Sequence, residues 1–327
     1  MLLSRYQEIQ SRFTDQRVLV IGDLMLDTYL WGDAERISPE APVPVIRVRD
    51  VNHNPGGAAN VALNISTLSA QATVLGIVGE DVEGKKLSTL LKDSGIDTTG
   101  IIFVPDRPTT VKTRIIAHNQ QVVRTDREAR SVINHEIRKA MNDRLNQILP
   151  TIQGIIIEDY DKGLLSAETI ELILKRAAER NLPVYVDPKK KNFLQYSGVR
   201  LLKPNAQELA QAAGIESQTE NFVTDCQHLR TRQQIAILLI TQGERGLALF
   251  TKEGEQTIPT KARRVHDVSG AGDTVISTFT LADLVGATPQ EAAILANYAA
   301  GRVCEEVGVV PITLAMLNEI VAHHNNV

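Results

Sequence analysis

Short runs of apolar, mostly β-branched residues alternate along the chain with longer stretches of helical periodicity. The apolar runs lack alternating polar positions, which is typical of strands buried on both faces of a parallel sheet. They are Val18–Ile21, Thr73–Val78, Gly154–Ile157, Val184–Val186 and Ile235–Ile240. The predicted helices are Ala58–Leu68, Gly84–Ser94, Ile133–Ile148, Ala167–Glu179, Glu208–Ala213, Ala271–Val285, Pro289–Glu306 and Thr313–His323. This βαβα alternation predicts a doubly wound, mainly parallel α/β sheet flanked by helices.

Three segments alternate with a period of two instead and are too polar for the centre of a parallel sheet. They are Pro42–Val51, Ile101–Val104 and Val111–Arg127. The pattern predicts a small antiparallel β-sheet with one solvent-exposed face, spanning about residues 36–52 and 100–127. Such a sheet would serve as a lid or a dimer surface; the alternative is that these are edge strands of the main sheet. Without repeats or long linkers, the chain is expected to form one domain, 1–327.

Composition and charge narrow the class of protein. The net charge of the 327 residues is −4, without the basic excess of a nucleic-acid binder. The two cysteines, Cys226 and Cys304, are too few and too far apart for a disulfide framework or a C-x-x-C pair. Met1–Phe13 lacks the apolar core of a signal peptide, and no apolar run is long enough for a membrane span. We therefore expect a cytoplasmic protein with no membrane partner.

The segment Asp267–Thr274 combines a glycine-rich turn with the start of an apolar helix. Free N–H groups and the positive dipole end of such a helix bind anions, here through the amides of Gly270, Ala271 and Gly272. The Asp273 carboxylate would face the same space and could take a proton from a hydroxyl that attacks a phosphoryl group. The helix N-terminus is expected to favour its ionised form, which weakens it as a base. The structural alternative is an ordinary N-capping loop.

Two further motifs fit a sugar site. Gly22–Asp27 follows the first strand, where ligands of α/β sheets bind, and Asp27 could accept hydrogen bonds from two sugar hydroxyls. Pro55–Asn60 opens a helix, where the amides of Gly56 and Gly57 could approach sugar oxygens. For either motif, the alternative is a turn followed by a helix cap. Because neither is G-x-G-x-x-G, a nicotinamide-dependent dehydrogenase is a distant alternative.

Together these motifs resemble the PfkB carbohydrate kinases, which have a ribokinase-like fold. The matching residues are Asp27, Gly56-Gly57-Ala58-Ala59-Asn60, Asn205-Ala206-Gln207-Glu208 and Gly270-Ala271-Gly272-Asp273. The resemblance covers about residues 18–321. It implies a doubly wound α/β domain with a small β-sheet lid, ATP and Mg²⁺ as cofactors, and a possible monovalent cation.

The same resemblance implies individual roles. Asp273 would be the catalytic base, and Asn205 and Glu208 would help to place Mg²⁺ and the nucleotide phosphates, with Glu208 acting on the metal indirectly. A capping box is the structural alternative for this pair. Thr241 and Gly243 would lie near the nucleotide, and Asn297 near the adenine. The alternatives are a plain β-turn and a polar position of an amphipathic helix.

Longer motifs resemble the D-glycero-β-D-manno-heptose-7-phosphate kinases within that family. They are Arg36–Val45, Pro108–Arg114, His118–Gln121, Asp159–Gly163 and Asp187–Lys189. This implies phosphorylation of the anomeric O1 to the 1,7-bisphosphate, on the route to ADP-heptose for lipopolysaccharide.

The heptose resemblance also suggests which residues hold the sugar. Asn119, Gln121 and Arg36 become candidates, and Lys189 becomes the leading cation for the sugar phosphate because it follows a strand's carboxyl end. A solvated basic turn is the alternative for the lysines that follow it. Further cations to consider are Arg114 and Lys162.

Some features leave alternatives open. Asp161 stands where the family often has glycine or alanine, and its charge would repel phosphates unless it faced solvent or a cation. The His-x-Gly-His of a fused adenylyltransferase is absent from these residues. The alternatives are another sugar-phosphate kinase, such as one acting on fructose phosphates, and a non-catalytic nucleotide or sugar sensor. A homodimer through the small sheet is also expected.

Overall fold

Two β-sheets organise the chain. The structure, a computed structural model, describes residues 2–118, 120–260, 267–306 and 308–325. The strands in these ranges are β1 (Arg17–Gly22), β2 (Leu24–Ile37), β3 (Pro44–Gly57), β4 (Gln71–Gly79), β5 (Asp97–Val104), β6 (Thr110–Ala117), β7 (Gln120–Arg127), β8 (Gly154–Glu158), β9 (Val184–Asp187), β10 (Leu201–Leu202), β11 (Ile237–Thr241), β12 (Leu247–Thr251) and β13 (Gly254–Ile258). The large sheet has the order β13-β12-β11-β10-β9-β8-β1-β4-β5, and the small sheet has the order β3-β2-β6-β7.

Helices cover both faces of the large sheet. They are α1 (Leu3–Ser11), α2 (Ala58–Thr67), α3 (Val82–Asp93), α4 (His135–Ile148), α5 (Ala167–Ala178), α6 (Ala206–Ala213), α7 (Phe222–Arg232), α8 (Ala271–Leu284), α9 (Pro289–Val303) and α10 (Leu314–Asn325). None of those within the described ranges has the length and apolar character that crossing a membrane requires.

The core lies in two layers, one on each face of the large sheet. In β1, the side chains of Val18 and Val20 pack in one layer and those of Leu19 and Ile21 in the other, all fully buried. Burial on both faces is why this strand is uniformly apolar. All neighbouring strands from β10 and β11 across to β4 and β5 are parallel, and only β12 and β13 are antiparallel additions. The predicted doubly wound, mainly parallel α/β sheet is confirmed.

The small sheet differs from its prediction in two ways. It is mixed, because β2 pairs antiparallel with β3 but parallel with β6. The segment Ile101–Val104 does not belong to it and instead lies in β5, at the edge of the large sheet beside β4. An edge strand has only one neighbour and is partly open to solvent, so β5 alternates like a strand of a half-exposed sheet. The other two segments lie in the small sheet, and β7 is exposed along its whole length.

The interpretation of Gly22–Asp27 as a turn with a helix cap is wrong. β2 begins at Leu24, one residue after β1 ends, and carries the chain directly from the large sheet into the small one. Its first six residues are buried and the rest are increasingly exposed. The strand was missed because neither half of it shows a regular period of two.

Candidate active site

Three carboxylates mark the carboxyl ends of neighbouring strands in the large sheet. β1, β8 and β9 are adjacent, and Asp23, Glu158 and Asp187 lie at their carboxyl ends. Asp23 serves the local fold, since its Oδ2 accepts hydrogen bonds from the backbone N–H groups of Tyr160 (2.9 Å) and Lys162 (3.1 Å). The loop after β8 is thereby held against β1, and this edge is where ligands of α/β sheets bind.

Asp273 enters this edge from the first turn of α8. Its side chain is buried, and its Oδ2 accepts a hydrogen bond of 2.6 Å from Nδ2 of Asn60. The Tyr160 hydroxyl donates to Oδ1 at 3.3 Å. Gly270, the N-cap, has φ of +81°, in the left-handed region where side chains are rarely accommodated. The turn that precedes Asp273 therefore depends on a glycine at this position.

The expected weakening of Asp273 as a base is not observed. Burial, reinforced by the charge of Asp187, raises the pKa of Asp273 to about 6, against the lowering effect of the Asn60 hydrogen bond. Desolvation thus outweighs the helix N-terminus, which the sequence argument had considered alone. The carboxylate is still ionised at neutral pH and is a stronger base than an exposed aspartate.

Glu158 and Asp187 provide oxygens suited to a divalent cation. One carboxylate oxygen from each of Glu158, Asp187 and Asp273 lies within 4.8 Å of the others. Both oxygens of Glu158 and Oδ1 of Asp187 are buried and lack hydrogen-bond partners within the described ranges. Oδ2 of Asp187 pairs with Nζ of Lys203 at 2.8 Å. Since buried charges need compensation, these oxygens fit Mg²⁺, which prefers carboxylate ligands.

Without a cation, the surroundings of Glu158 disfavour its charged form. Burial, followed by the charges of Asp187 and Asp273, raises the pKa of Glu158 well above its usual range. Neither Glu158 nor Lys203 stands in one of the motifs that predicted the site. A signal was present for Glu158, because it directly follows the apolar strand Gly154–Ile157, at a strand's carboxyl end.

Asn205 and Glu208 form the capping box that was considered as the structural alternative. Oδ1 of Asn205 accepts from the Glu208 N–H at 2.8 Å, and Oε2 of Glu208 accepts from the Asn205 N–H at 2.9 Å. The other oxygen of Glu208 forms an ion pair with Lys189. The capping box uses only one carboxylate oxygen of Glu208, and the other is left for contacts with a cation. Glu208 can therefore cap α6 and also interact with a cation.

A cavity of about 640 Å³ opens beside Asp273. Its lining includes the predicted site residues Lys189, Asn205, Glu208, Thr241, Gly243, Gly270, Ala271, Gly272, Asp273 and Asn297. Asn297 also donates a hydrogen bond of 2.8 Å to the carbonyl of Pro259. Ala206 and Gln207 are not among the lining residues, and Gln207 is exposed. The nucleotide residues inferred from the motifs are thus mostly gathered around one space.

The sugar-end residues meet at the junction of the two sheets. Asp27 lies in β2, where its Oδ1 accepts from Nη1 of Arg114 at 2.6 Å. A Cβ on Gly56 would come within 2.4 Å of Asp27 Oδ2, so only glycine fits there. Gly57 is the N-cap of α2, and Asn60 lies in its first turn against Asp273. The structure therefore brings Asp27, Gly56, Gly57 and Asn60 toward Asp273 at the start of α8.

Three other predicted sugar residues are not brought to this junction. Arg36 is exposed near the far end of β2, nine positions from Asp27, which corresponds to about 30 Å of extended strand. Gln121 is exposed in β7, opposite Ile116. Asn119 lies outside the described residues. Within one copy of the chain, Arg36 does not reach Asp27.

The unusual Asp161 has a counter-ion. Its carboxylate pairs with Nζ of Lys191 at 3.0 Å, which removes the expected repulsion of phosphates. Its φ of +53° lies in the left-handed region, which glycine adopts more readily than aspartate.

Comparisons with known proteins agree with this geometry. The pfkB family carbohydrate kinase description matches residues 15–314. The bifunctional protein HldE of Helicobacter pylori is 43% identical over 306 residues, which are 93% of this chain and 65% of that protein. HldE of Magnetococcus marinus is 41% identical over 94% of this chain and 64% of its own length. This chain therefore spans about two thirds of the length of these relatives.

Solved structures show the same fold at lower identity. Phosphofructokinase-2 from Escherichia coli in complex with potassium superposes with a TM-score of 0.79 at 19% identity, covering 94% of this chain and 98% of that one. Ribokinase from Arabidopsis thaliana, complexed with ribose and ATP, gives 0.72 at 18% identity, with coverages of 94% and 98%. The fold is ribokinase-like, and by its match over residues 15–314 the chain belongs to the pfkB family of carbohydrate kinases.

Proposed function

We propose that this enzyme transfers the γ-phosphoryl group of ATP to the anomeric O1 of D-glycero-β-D-manno-heptose 7-phosphate. The product is the 1,7-bisphosphate, on the route to ADP-heptose and lipopolysaccharide. The observation that carries the proposal is Asp273, buried at the start of α8 between Asn60 and Tyr160 and facing the cavity. The similarity to HldE over 93% of the chain supports heptose as the sugar.

In this proposal, Asp273 accepts the proton of the anomeric hydroxyl as O1 attacks phosphorus. The N–H groups at the start of α8, from Gly270 to Gly272, stabilise the negative charge of the transferring group. Asp27 and Asn60 orient the sugar, and positioning of this kind supplies much of the rate of phosphoryl transfer. Mg²⁺, when bound, neutralises phosphate charge; Glu158 and Asp187 would hold it, with Glu208 acting indirectly.

A substrate panel tests the proposal. Heptose 7-phosphate is compared with unphosphorylated heptose, fructose 6-phosphate and ribose 5-phosphate, each with ATP and Mg²⁺. ADP release gives kcat/KM, and ³¹P NMR of the product gives the phosphorylated oxygen. We expect the highest kcat/KM for heptose 7-phosphate, with a new phosphate at O1. A preference for fructose 6-phosphate, or phosphorylation at another oxygen, would overturn the proposal.

We extend the proposal to a monovalent cation, a homodimer and a cytoplasmic location. The E. coli structure contains potassium, which supports a comparison of activity in potassium and in tetramethylammonium salts. Exposed valines of the small sheet, such as Val51 and Val123, support association of two copies. ATP and sugar phosphates are cytoplasmic metabolites, which supports that location.

A further inference from the structure

Arg114, Lys162, Lys189 and Lys112 are the candidate basic side chains for the phosphate of the sugar, and three of them already have carboxylate partners. Arg114 pairs with Asp27, Lys162 pairs with Glu128 at 2.6 Å, and Lys189 pairs with Glu208. The fourth is Lys112. Its ammonium makes no hydrogen bond or ion pair with any residue that the structure describes.

Lys112 lies in β6 of the small sheet, directly opposite Asp27 of β2. Its Nζ is 5.0 Å from the centroid of the Tyr160 ring. The same tyrosine donates a hydrogen bond from its hydroxyl to Asp273. Tyr160 therefore contacts Asp273 through its hydroxyl and Lys112 through its ring.

The surroundings of Lys112 favour an anion. The side chain is half-buried, and burial lowers the pKa of Lys112, as do the nearby charges of Lys162 and Arg114. The charges of Asp27 and Asp126 raise this pKa, but Asp27 is paired with Arg114 and Asp126 with Arg124. An ammonium group in such a place is stabilised by a charge-assisted hydrogen bond to a phosphate.

Lys112 and Lys189 each lie 5.0 Å from the centroid of the Tyr160 ring, but only Lys189 has a carboxylate partner, Glu208. Lys189 lines the cavity beside Glu208 and Asn205, whereas Lys112 is not among the residues that line it. A phosphate bound by Lys189 would lie with the nucleotide, and one bound by Lys112 would lie beyond the sugar. The earlier choice of Lys189 for the sugar phosphate rested only on its position after a strand.

We propose that Lys112 binds the terminal phosphate of the sugar substrate and so sets the preference for a sugar phosphate over a free sugar. This inference rests on the proposed function. The contact is remote from the reacting oxygen, so its loss should act mainly on KM for the sugar.

The test compares two substrates in matched variants. We measure kcat/KM for heptose 7-phosphate and for unphosphorylated heptose in the wild type, Lys112→Met, Lys112→Arg, Lys189→Ala and Lys139→Ala. Methionine keeps the apolar stem of Lys112, arginine keeps the charge, and Lys139 is an exposed lysine of α4. The preference for the phosphorylated sugar should fall about 10- to 100-fold in Lys112→Met, the range for one charge-assisted hydrogen bond.

Lys112→Arg should recover most of the preference, and Lys139→Ala should match the wild type. KM for ATP should stay near the wild-type value in Lys112→Met, whereas a general folding defect would raise it. If Lys112→Met keeps the wild-type preference, or if Lys189→Ala loses it instead, the inference is overturned. If the wild type itself does not prefer heptose 7-phosphate over unphosphorylated heptose, the proposed function fails. That failure is seen in the wild type alone and is therefore distinguishable from a failure of the Lys112 inference.

Discussion

At the residue scale, Asp273 combines burial with a small number of directed contacts. Its oxygens face Asn60 and Tyr160, and its pKa is raised to about 6 mainly by burial. Replacing Asp273 by asparagine keeps the volume and removes the base. We expect kcat to fall about 100- to 10,000-fold, the usual contribution of a general base. Calorimetric titration should show ATP binding close to that of the wild type, and a kcat near the wild-type value would contradict the assignment.

The raised pKa of Asp273 also predicts a pH profile. The base works only when ionised, so kcat should be constant well above pH 6 and should fall as pH drops through about 6. A cation near Asp187 would favour the ionised form and move the inflection to lower pH. The profile is therefore recorded from pH 5 to 8 at low and high Mg²⁺. Asp273→Asn serves as the control, and a residual activity with the same inflection would assign it to another group.

Sequence motifs were enough to select Asp273 as the proposed base, but the residues around it were harder to predict. Asp273, Asn60 and Asp27 stood in recognisable motifs, and the structure brings them together. Tyr160 and Lys112 lie inside motifs of the heptose resemblance but had no individual role there, and Glu158 was not selected, because their importance comes from contacts between distant segments. Lys112 meets Tyr160 only because β6 of the small sheet lies over the loop that follows β8.

At the scale of elements, Glu208 in the first turn of α6 caps this helix and also lines the cavity beside Asp273. Glutamine can replace glutamate at the third position of a capping box, so Glu208→Gln should keep the cap while removing the charge. We expect this variant to need more Mg²⁺ for half-maximal activity and to unfold near the wild-type temperature. Glu208→Ala should lose both the charge and the contact with the Asn205 N–H, and should therefore unfold at a lower temperature than Glu208→Gln. An unchanged Mg²⁺ titration of Glu208→Gln would leave Glu208 with capping alone.

Elements buried on both faces were predictable, and half-exposed ones were less so. The strands β1, β4, β8, β9 and β11 appeared as compact apolar runs because neighbours on both sides exclude water. β5 has the alternating pattern of a half-exposed strand, and this pattern alone does not show which sheet the strand joins. β2 passes from a buried to an exposed environment along its length, so a single periodicity does not describe it.

At the scale of the whole molecule, the small sheet exposes apolar side chains that a second copy could cover. Val51 is 48% exposed in β3 and Val123 is 44% exposed in β7. We expect a symmetric dimer through this sheet, seen as twice the monomer mass by sedimentation at micromolar concentration. Val51→Asp should weaken association at least about tenfold because it buries an unpaired charge. Val82→Asp, an exposed position of α3 outside the sheet, is the control; a monomeric wild type would contradict the dimer.

The parallel pairing of β2 with β6 has a consequence for the order in which the chain folds. Met25 lies opposite Thr110 in this pair, although β4, α3 and β5 come between them in the sequence. Closing so long a loop in an unfolded chain loses entropy before any contact compensates it. Formation of β1, β4 and β5 as neighbours brings the ends of that loop together first. The pairing of β2 with β6 should therefore form late, so that Asp27 and Lys112 come together only after β1, β4 and β5 have formed.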